Sequence, residues 1–161
     1  MNKKIPWLKS DSQRSTDVTF SNINKTEMNH VTNPIPANRR FARVVPVEIV
    51  YALQRGQSRL LGRPYQRGSV FVTAADDIMD VIDAHGLARR LALVDEIGNL
   101  LQGPFGIVLF TLRSLRGLAS PVFRTYPGFV GFGHTAGRAR EFVTPNRRIR
   151  MSRNINLRIL N

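Results

Sequence analysis

Residues 72–120 read VTAADDIMDVIDAHGLARRLALVDEIGNLLQGPFGIVLFTLRSLRGLAS, and the apolar pattern of this stretch decides the fold. It holds the densest apolar periodicity of the chain, and residues 76–96 carry six of the eleven acidic side chains. The segments on either side are basic, rich in Gly and Pro, or both. Because a core needs repeated apolar positions on one face, we expect the chain to fold around this stretch.

The first part of the stretch has the spacing of two short helices. Thr73 to Asp76 resembles a capping box, although that box is defined with Glu or Gln at its last position. Apolar residues follow at helical spacing, Gly86 is a plausible helix end, and a second run over about 87–101 stops at Gly103-Pro104. These patterns predict a helical hairpin. The next run, 105–118, fits a third helix or, over 106–112, a buried strand.

Flanking segments predict a small sheet. Residues 149–159 alternate apolar and polar side chains, which is typical of a half-buried strand with a basic outer face. Residues 69–73 are a further strand candidate, and residues 44–53 fit either a helix entered at Pro46 or a strand. We therefore predict an α+β domain over residues 44–161, in which the helical hairpin packs on the small sheet.

Residues 1–43 predict a long, extended, basic N-terminal arm. Only scattered apolar groups occur before residue 38, and no period of a helix or strand is sustained. Trp7 and Phe20 are candidate anchors that contact neighbouring protein subunits. The alternative is an arm that packs on its own domain.

Composition restricts the class of partner. The net charge is +13, and twenty Arg outnumber four Lys. Such a charge indicates nucleic acid or an acidic protein as the partner, and arginine is well suited to bidentate contacts with phosphate or carboxylate. The absence of cysteine excludes disulfides and cysteine-ligated metals. No apolar run is long enough to predict membrane insertion.

The strongest functional signal is a set of arginine clusters, which we predict to contact nucleic acid or another polyanion. They lie at Arg39, Arg40 and Arg43, in a basic loop at Arg55, Arg59, Arg63 and Arg67, and near the C-terminus at Arg147, Arg148, Arg150 and Arg153. Arginine contacts to phosphate supply affinity without sequence specificity. The alternative reading is a basic surface that binds acidic protein.

Signals for catalysis are weak. His30, His85 and His134 lie in different segments without metal-ligand spacing. Asp76, Asp80 and Asp83 would share one face of a helix, where favourable interaction with the helix dipole explains them without chemistry. We therefore expect no catalytic residues, no metal and no cofactor.

These patterns together predict a non-enzymatic structural protein of a large assembly. We expect a virus or phage particle protein, present in many copies in the virion, that holds neighbouring subunits with its arm and the genome or an acidic partner with its arginines. One alternative is a subunit of a ribosome or other ribonucleoprotein particle, cytoplasmic or organellar. A second is a DNA-binding regulator, which would need a basic recognition helix.

Overall fold

A computed structural model of the chain describes residues 33–57, 70–120, 129–131, 133–145 and 155–161. The elements in these ranges follow one another along the chain as β1 (Arg40–Val45), α1 (Val47–Gln54), β2 (Val70–Ala74), a 3₁₀ turn (Ala75–Asp77), α2 (Ala84–Leu91), β3 (Phe105–Thr111), β4 (Phe129–Gly131), β5 (His134–Thr135), β6 (Glu141–Thr144) and β7 (Asn156–Leu160).

Five strands form one antiparallel sheet in the order β6-β2-β1-β3-β7, and β4 and β5 form a separate ribbon. β1 pairs with β3 from Arg40 opposite Thr111 to Val45 opposite Gly106. β3 is an interior strand between β1 and β7. Its almost unbroken apolar sequence, FGIVLFT, suits this position, because a strand covered on both faces has no polar side.

Helix α1 covers one face of the sheet. Val50 and Leu53 pack there against a cluster that includes Phe41 and Val108. Gly106 of β3 permits α1 to approach the sheet closely, since a Cβ at that position would lie 2.5 Å from Val50 Cγ2. Phe41 also meets a phenylalanine of β6 edge to face, a favourable aromatic geometry.

Helix α2 and the turn before it cover the other face. Leu87 and Leu91 pack with Ile107 in a second buried cluster. The helix begins at its N-cap Asp83, whose carboxylate accepts a hydrogen bond from Gly86 N at 2.6 Å. It ends at Ala92, which has the left-handed φ of 51° that closes many helices. The protein is thus a helix–sheet–helix sandwich.

The α+β class is confirmed, but the described residues contain no helical hairpin. Thr73 lies in β2 and does not cap a helix: its hydroxyl donates to Arg140 O at 2.6 Å. Gly86 lies inside α2 and does not end it. Beyond α2 the chain forms a tight turn, closed by a bridge between Val94 and Leu100.

The structure also decides between helix and strand for the two segments where the sequence allowed both. The run at 105–118 contains strand β3, and the segment at 44–53 forms the end of β1 followed by a helix behind Pro46. The C-terminal strand occupies Asn156–Leu160 and overlaps the predicted range at 156–159, and residues 149–154 lie outside the described residues.

Most of the predicted arm, including Trp7 and Phe20, lies outside the described residues. β1 begins at Arg40, so residues 40–43 belong to the central strand. The division into an arm at 1–43 and a domain at 44–161 stays a prediction. Within the described part of the chain, no helix has the length and apolarity to cross a bilayer.

Candidate functional site

Sheet register brings residues that are distant in sequence to one end of the sheet. Phe41 pairs with both Ala74 and Phe110, and Thr73 pairs with Glu141. Residues that precede β1 and β6, and residues that follow β2 and β3, therefore lie at the same end. We call this the polar end, and its members are Arg39, Asp77, Arg113, His134 and Arg140.

The centre of the polar end is an ion pair between Asp77 and Arg140. Arg140 Nη2 lies 2.8 Å from Asp77 Oδ1, and Arg140 Nε lies 3.0 Å from Oδ2. The backbone N–H of Arg140 donates to the same carboxylate at 2.7 Å, and Nη1 donates to Pro34 O at 2.7 Å. Both side chains are only 19% exposed. Hydrogen bonding to Asp77 raises the pKa of Arg140 above its ordinary value, so its positive charge is permanent.

A second pair extends this network. Arg90 of α2 makes a bidentate contact with Asp80 at 2.9 and 3.1 Å, and also donates to Asp77 O. This pair is more open, with side-chain exposures of 34% and 67%. Hydrogen bonding from Arg90 lowers the pKa of Asp80 below the ordinary value of 3.8. Its contribution to stability is therefore present above that pH and is lost as the pH falls through the lowered pKa.

Replacing Asp77 with asparagine is expected to lower the free energy of unfolding by about 2 kcal/mol, because a largely buried guanidinium loses its charged partner. Urea denaturation of the purified variant measures the loss. The matched control is Asp80→Asn, which opens a solvent-screened pair and should cost much less. Equal losses in the two variants would contradict this account of the network.

His134 lies directly beside this ion pair. It forms an antiparallel bridge with Arg140, and the Cβ atoms of opposite residues are about 5 Å apart on the same side of the strands. Its side chain is half-buried. The next residue, Thr135, anchors the strand by donating from its hydroxyl to Arg90 O at 2.8 Å. The fold thus places an imidazole next to a fixed guanidinium.

Exposed arginines border this centre. Arg39 and Arg113 are neighbours, because Leu112 N donates to Arg39 O at 3.1 Å. Arg138, in the turn between His134 and Arg140, is also exposed. Within the described part of the chain, none of these three side chains forms an ion pair. The polar end therefore carries positive charge that an anionic ligand can reach.

The predicted arginine contacts fall in different environments. Arg39 is exposed and Arg40 half-buried, while Arg43 is only 7% exposed and donates from Nη1 to Phe71 O at 2.7 Å. Arg43 therefore points into the protein. Arg55 is exposed, and its Nε contacts Gln57 Oε1 at 3.1 Å. The other predicted contacts lie outside the described residues: Arg59, Arg63, Arg67, Arg147, Arg148, Arg150 and Arg153.

The aspartates do not share a helix face. Asp76 and Asp77 lie in the 3₁₀ turn, Asp80 follows it, and Asp83 is the N-cap of α2. No group of three or more His, Asp or Glu side chains in the described ranges is arranged to hold a metal ion. The prediction of no metal and no cofactor remains a prediction.

Sequence reasoning missed the central cluster. Asp77 and Arg140 are separated by 63 positions, and no local pattern marks them as partners. Arg113, which lies at the polar end, is not among the predicted ligand contacts. The antiparallel pairing of β2 with β6 brings Asp77 and Arg140 together, and it could be found only by assigning both strands.

These features define a small, strongly basic α+β domain with a His–Arg–Asp cluster at one end of its sheet. The sequence model of the family described as Ntox10, novel toxin 10, matches residues 15–161. The chain therefore belongs to this toxin family. No curated protein and no solved structure shows significant similarity to it.

Family membership overturns the predicted role. The expectation of a virus or phage particle protein located in the virion is wrong, and so are the alternatives of a ribonucleoprotein subunit and a DNA-binding regulator. The error has a physical reason: charge and a polar arm indicate a polyanionic partner, and they do not distinguish a structural protein from a toxin. The predicted partners, protein subunits and nucleic acid, and the multi-copy state remain predictions.

Proposed function

We propose that the chain is a toxin domain of an effector protein that binds RNA at the polar end and cleaves it there. The observation that carries the proposal is the position of His134 opposite Arg140, within a cluster held by Asp77. Membership of a toxin family supports a destructive activity, and the net charge of +13 favours an anionic target.

Binding is assigned to the exposed arginines. Arg39 and Arg113 lie at the polar end and have no anionic partner among the described residues. Contacts from such side chains to phosphates position a nucleic acid without reading its sequence. The phosphodiester backbone would run along these arginines towards His134.

Chemistry is assigned to His134 and Arg140. A neutral imidazole takes the proton of the ribose 2′-hydroxyl, whose oxygen attacks the adjacent phosphorus. The bond between phosphorus and O5′ breaks, O5′ takes a proton from water, and the products are a 2′,3′-cyclic phosphate and a 5′-hydroxyl. Arg140 stabilises the negative charge on the phosphoryl oxygens, since its contacts with Asp77 and Pro34 leave part of its guanidinium available.

The expectation of a non-enzymatic protein is not tested by these observations. It depended on the separation of the histidines and acidic residues along the sequence. Folding brings His134, Arg140 and Asp77 together, which supplies the clustered titratable site that the sequence lacked. This is why we propose catalysis rather than binding alone.

The test is to incubate the purified chain with a single-stranded RNA of mixed sequence, and with DNA of the same sequence, in the presence of EDTA. The proposal predicts that the RNA is cut and that the DNA remains intact, because only RNA carries the 2′-hydroxyl nucleophile. Cleavage of both polymers, or of neither, would contradict it.

Replacing Arg113 with glutamine is expected to weaken RNA binding about threefold and to reduce the slope of log Kobs against log salt by about one, because one phosphate contact is lost. Fluorescence anisotropy at several salt concentrations measures both quantities. Arg55→Gln is the control: it removes the same charge from the end of α1, outside the polar end. An equal effect of the two variants would mean that only net charge matters.

A further inference from the structure

Asn33 is a buried polar residue that the proposed reaction does not use. It is 6% exposed. Its side-chain Nδ2 donates to Gly133 O at 2.9 Å, across 100 positions of sequence, and its backbone N donates to Ser120 Oγ at 3.3 Å. A buried asparagine with such long-range bonds fixes the relative position of segments that the strands alone do not join.

The acceptor, Gly133, is the residue immediately before His134. Its carbonyl also accepts a hydrogen bond from Glu141 N at 2.6 Å. Gly133 has the positive φ of 72°, and a Cβ there would lie 2.3 Å from Asn33 Nδ2. Only glycine allows the amide to approach this closely, so the peptide that leads into His134 is held from two sides.

The residue after Asn33, Pro34, binds Arg140, the second residue assigned to the reaction. Pro34 O accepts from Arg140 Nη1 at 2.7 Å, while Asp77 binds the remaining side of that guanidinium. We call Asn33 and Pro34 the clip. Asn33 binds the backbone immediately before His134, and Pro34 binds the side chain of Arg140. His134 and Arg140 are the two residues assigned to the reaction.

We infer that Asn33 is a positioning residue, which holds the Gly133–His134 peptide so that the imidazole faces the substrate beside Arg140. The inference rests on the proposed function for its catalytic meaning. A misplacement of about 1 Å in an active site is enough to cost about 100-fold in rate, so loss of the clip should reduce kcat far more than it changes KM.

The test compares Asn33→Ala and Asn33→Asp with Asn38→Ala. Asn38 is a matched control, because it is an exposed asparagine of the same segment whose Oδ1 accepts from Arg40 N at 2.9 Å. Asn33→Ala is expected to lower kcat for RNA cleavage about 30-fold with KM within about twofold, and Asn38→Ala to leave kcat unchanged. A kcat within about twofold of the unmodified protein, or a loss confined to KM, would overturn the inference.

Asn33→Asp supplies a readout that a purely structural role would not move. A carboxylate cannot donate to Gly133 O, whereas a carboxylic acid can. The kcat of this variant relative to the unmodified protein is therefore expected to rise at least about fivefold as the pH falls from about 7.5 to about 5. A ratio that does not change with pH would overturn the inference, even if Asn33→Ala does not fold.

Failure of the proposed function gives a different result. If the unmodified protein cuts no RNA, the proposed function is wrong. The NMR resonances of the His134 ring then test whether Asn33 fixes the position of that ring. They should be single in the unmodified protein and in Asn38→Ala, and broadened or doubled in Asn33→Asp at neutral pH. Identical spectra would overturn the role of Asn33 as well.

Discussion

Replacing His134 with alanine is expected to slow RNA cleavage about 1,000-fold, because the reaction loses the group that removes the proton from the 2′-hydroxyl. RNA binding should change little, since the proposal assigns the phosphate contacts to the arginines at the polar end. Single-turnover cleavage of an end-labelled RNA measures the rate, and anisotropy measures binding. Expression of the unmodified chain in bacteria should inhibit growth. Expression of His134→Ala should not, because this variant cleaves RNA too slowly.

His85→Ala is the control for this variant. His85 is an exposed histidine in the first turn of α2, away from the bridge that joins His134 to Arg140. Its removal changes the same side-chain chemistry and should leave the cleavage rate unchanged. A rate for His134→Ala within about threefold of the unmodified protein would exclude His134 as the base, and equal losses in the two variants would point to a general effect on folding.

The second large effect is expected at Gly137. The turn between β5 and β6 carries this glycine against the end of α2, and a Cβ there would lie 2.1 Å from Arg90 O and 2.3 Å from Arg89 O. Backbone atoms cannot rotate away, so Gly137→Ala must push the turn off the helix. We expect a loss of about 3 kcal/mol in the free energy of unfolding, measured by urea denaturation.

Gly98→Ala separates this steric effect from backbone strain. Gly98 has a φ of 91°, but a Cβ there would meet no atom within 4 Å. Its replacement should cost about 1 kcal/mol through the unfavourable φ alone. Because His134 and Arg140 flank the Gly137 turn, Gly137→Ala should also reduce cleavage, and Gly98→Ala should not. Equal losses of stability would contradict the close approach of the turn to α2.

The sequence predicted those elements whose pattern is local. The alternation at 149–159 overlaps β7 at residues 156–159, and one of the two predictions for residues 44–53, a helix entered at Pro46, matches α1. The capping pattern at Thr73 failed because the strand pairing of β2 took precedence: the Thr73 hydroxyl binds Arg140 O, a partner that no local rule contains. The apolar pattern of residues 105–111 fits both a helix and a buried strand. Only their pairing with β1 on one side and β7 on the other explains why they form a strand.

The candidate site depends on long-range contacts, and this is why the sequence did not reveal it. Asp77 follows Asp76 in a segment that the sequence predicts to be helical, and the three histidines lie in different segments without a recognisable partner. The relation of Asp77 and His134 to Arg140 is set by a turn, a two-residue strand and the pairing of β6 with β2. The basic composition did indicate a polyanion, but charge alone assigned it to the wrong class of protein.

The central claim is that the polar end cleaves RNA by attack of the 2′-hydroxyl, and the ends of the products test it most directly. RNA is incubated with the protein in EDTA, and the fragments are examined by mass spectrometry. The account predicts 2′,3′-cyclic phosphate and 5′-hydroxyl ends, which His134→Ala does not produce. Fragments with 3′-hydroxyl and 5′-phosphate ends, or RNA that remains intact, would contradict it.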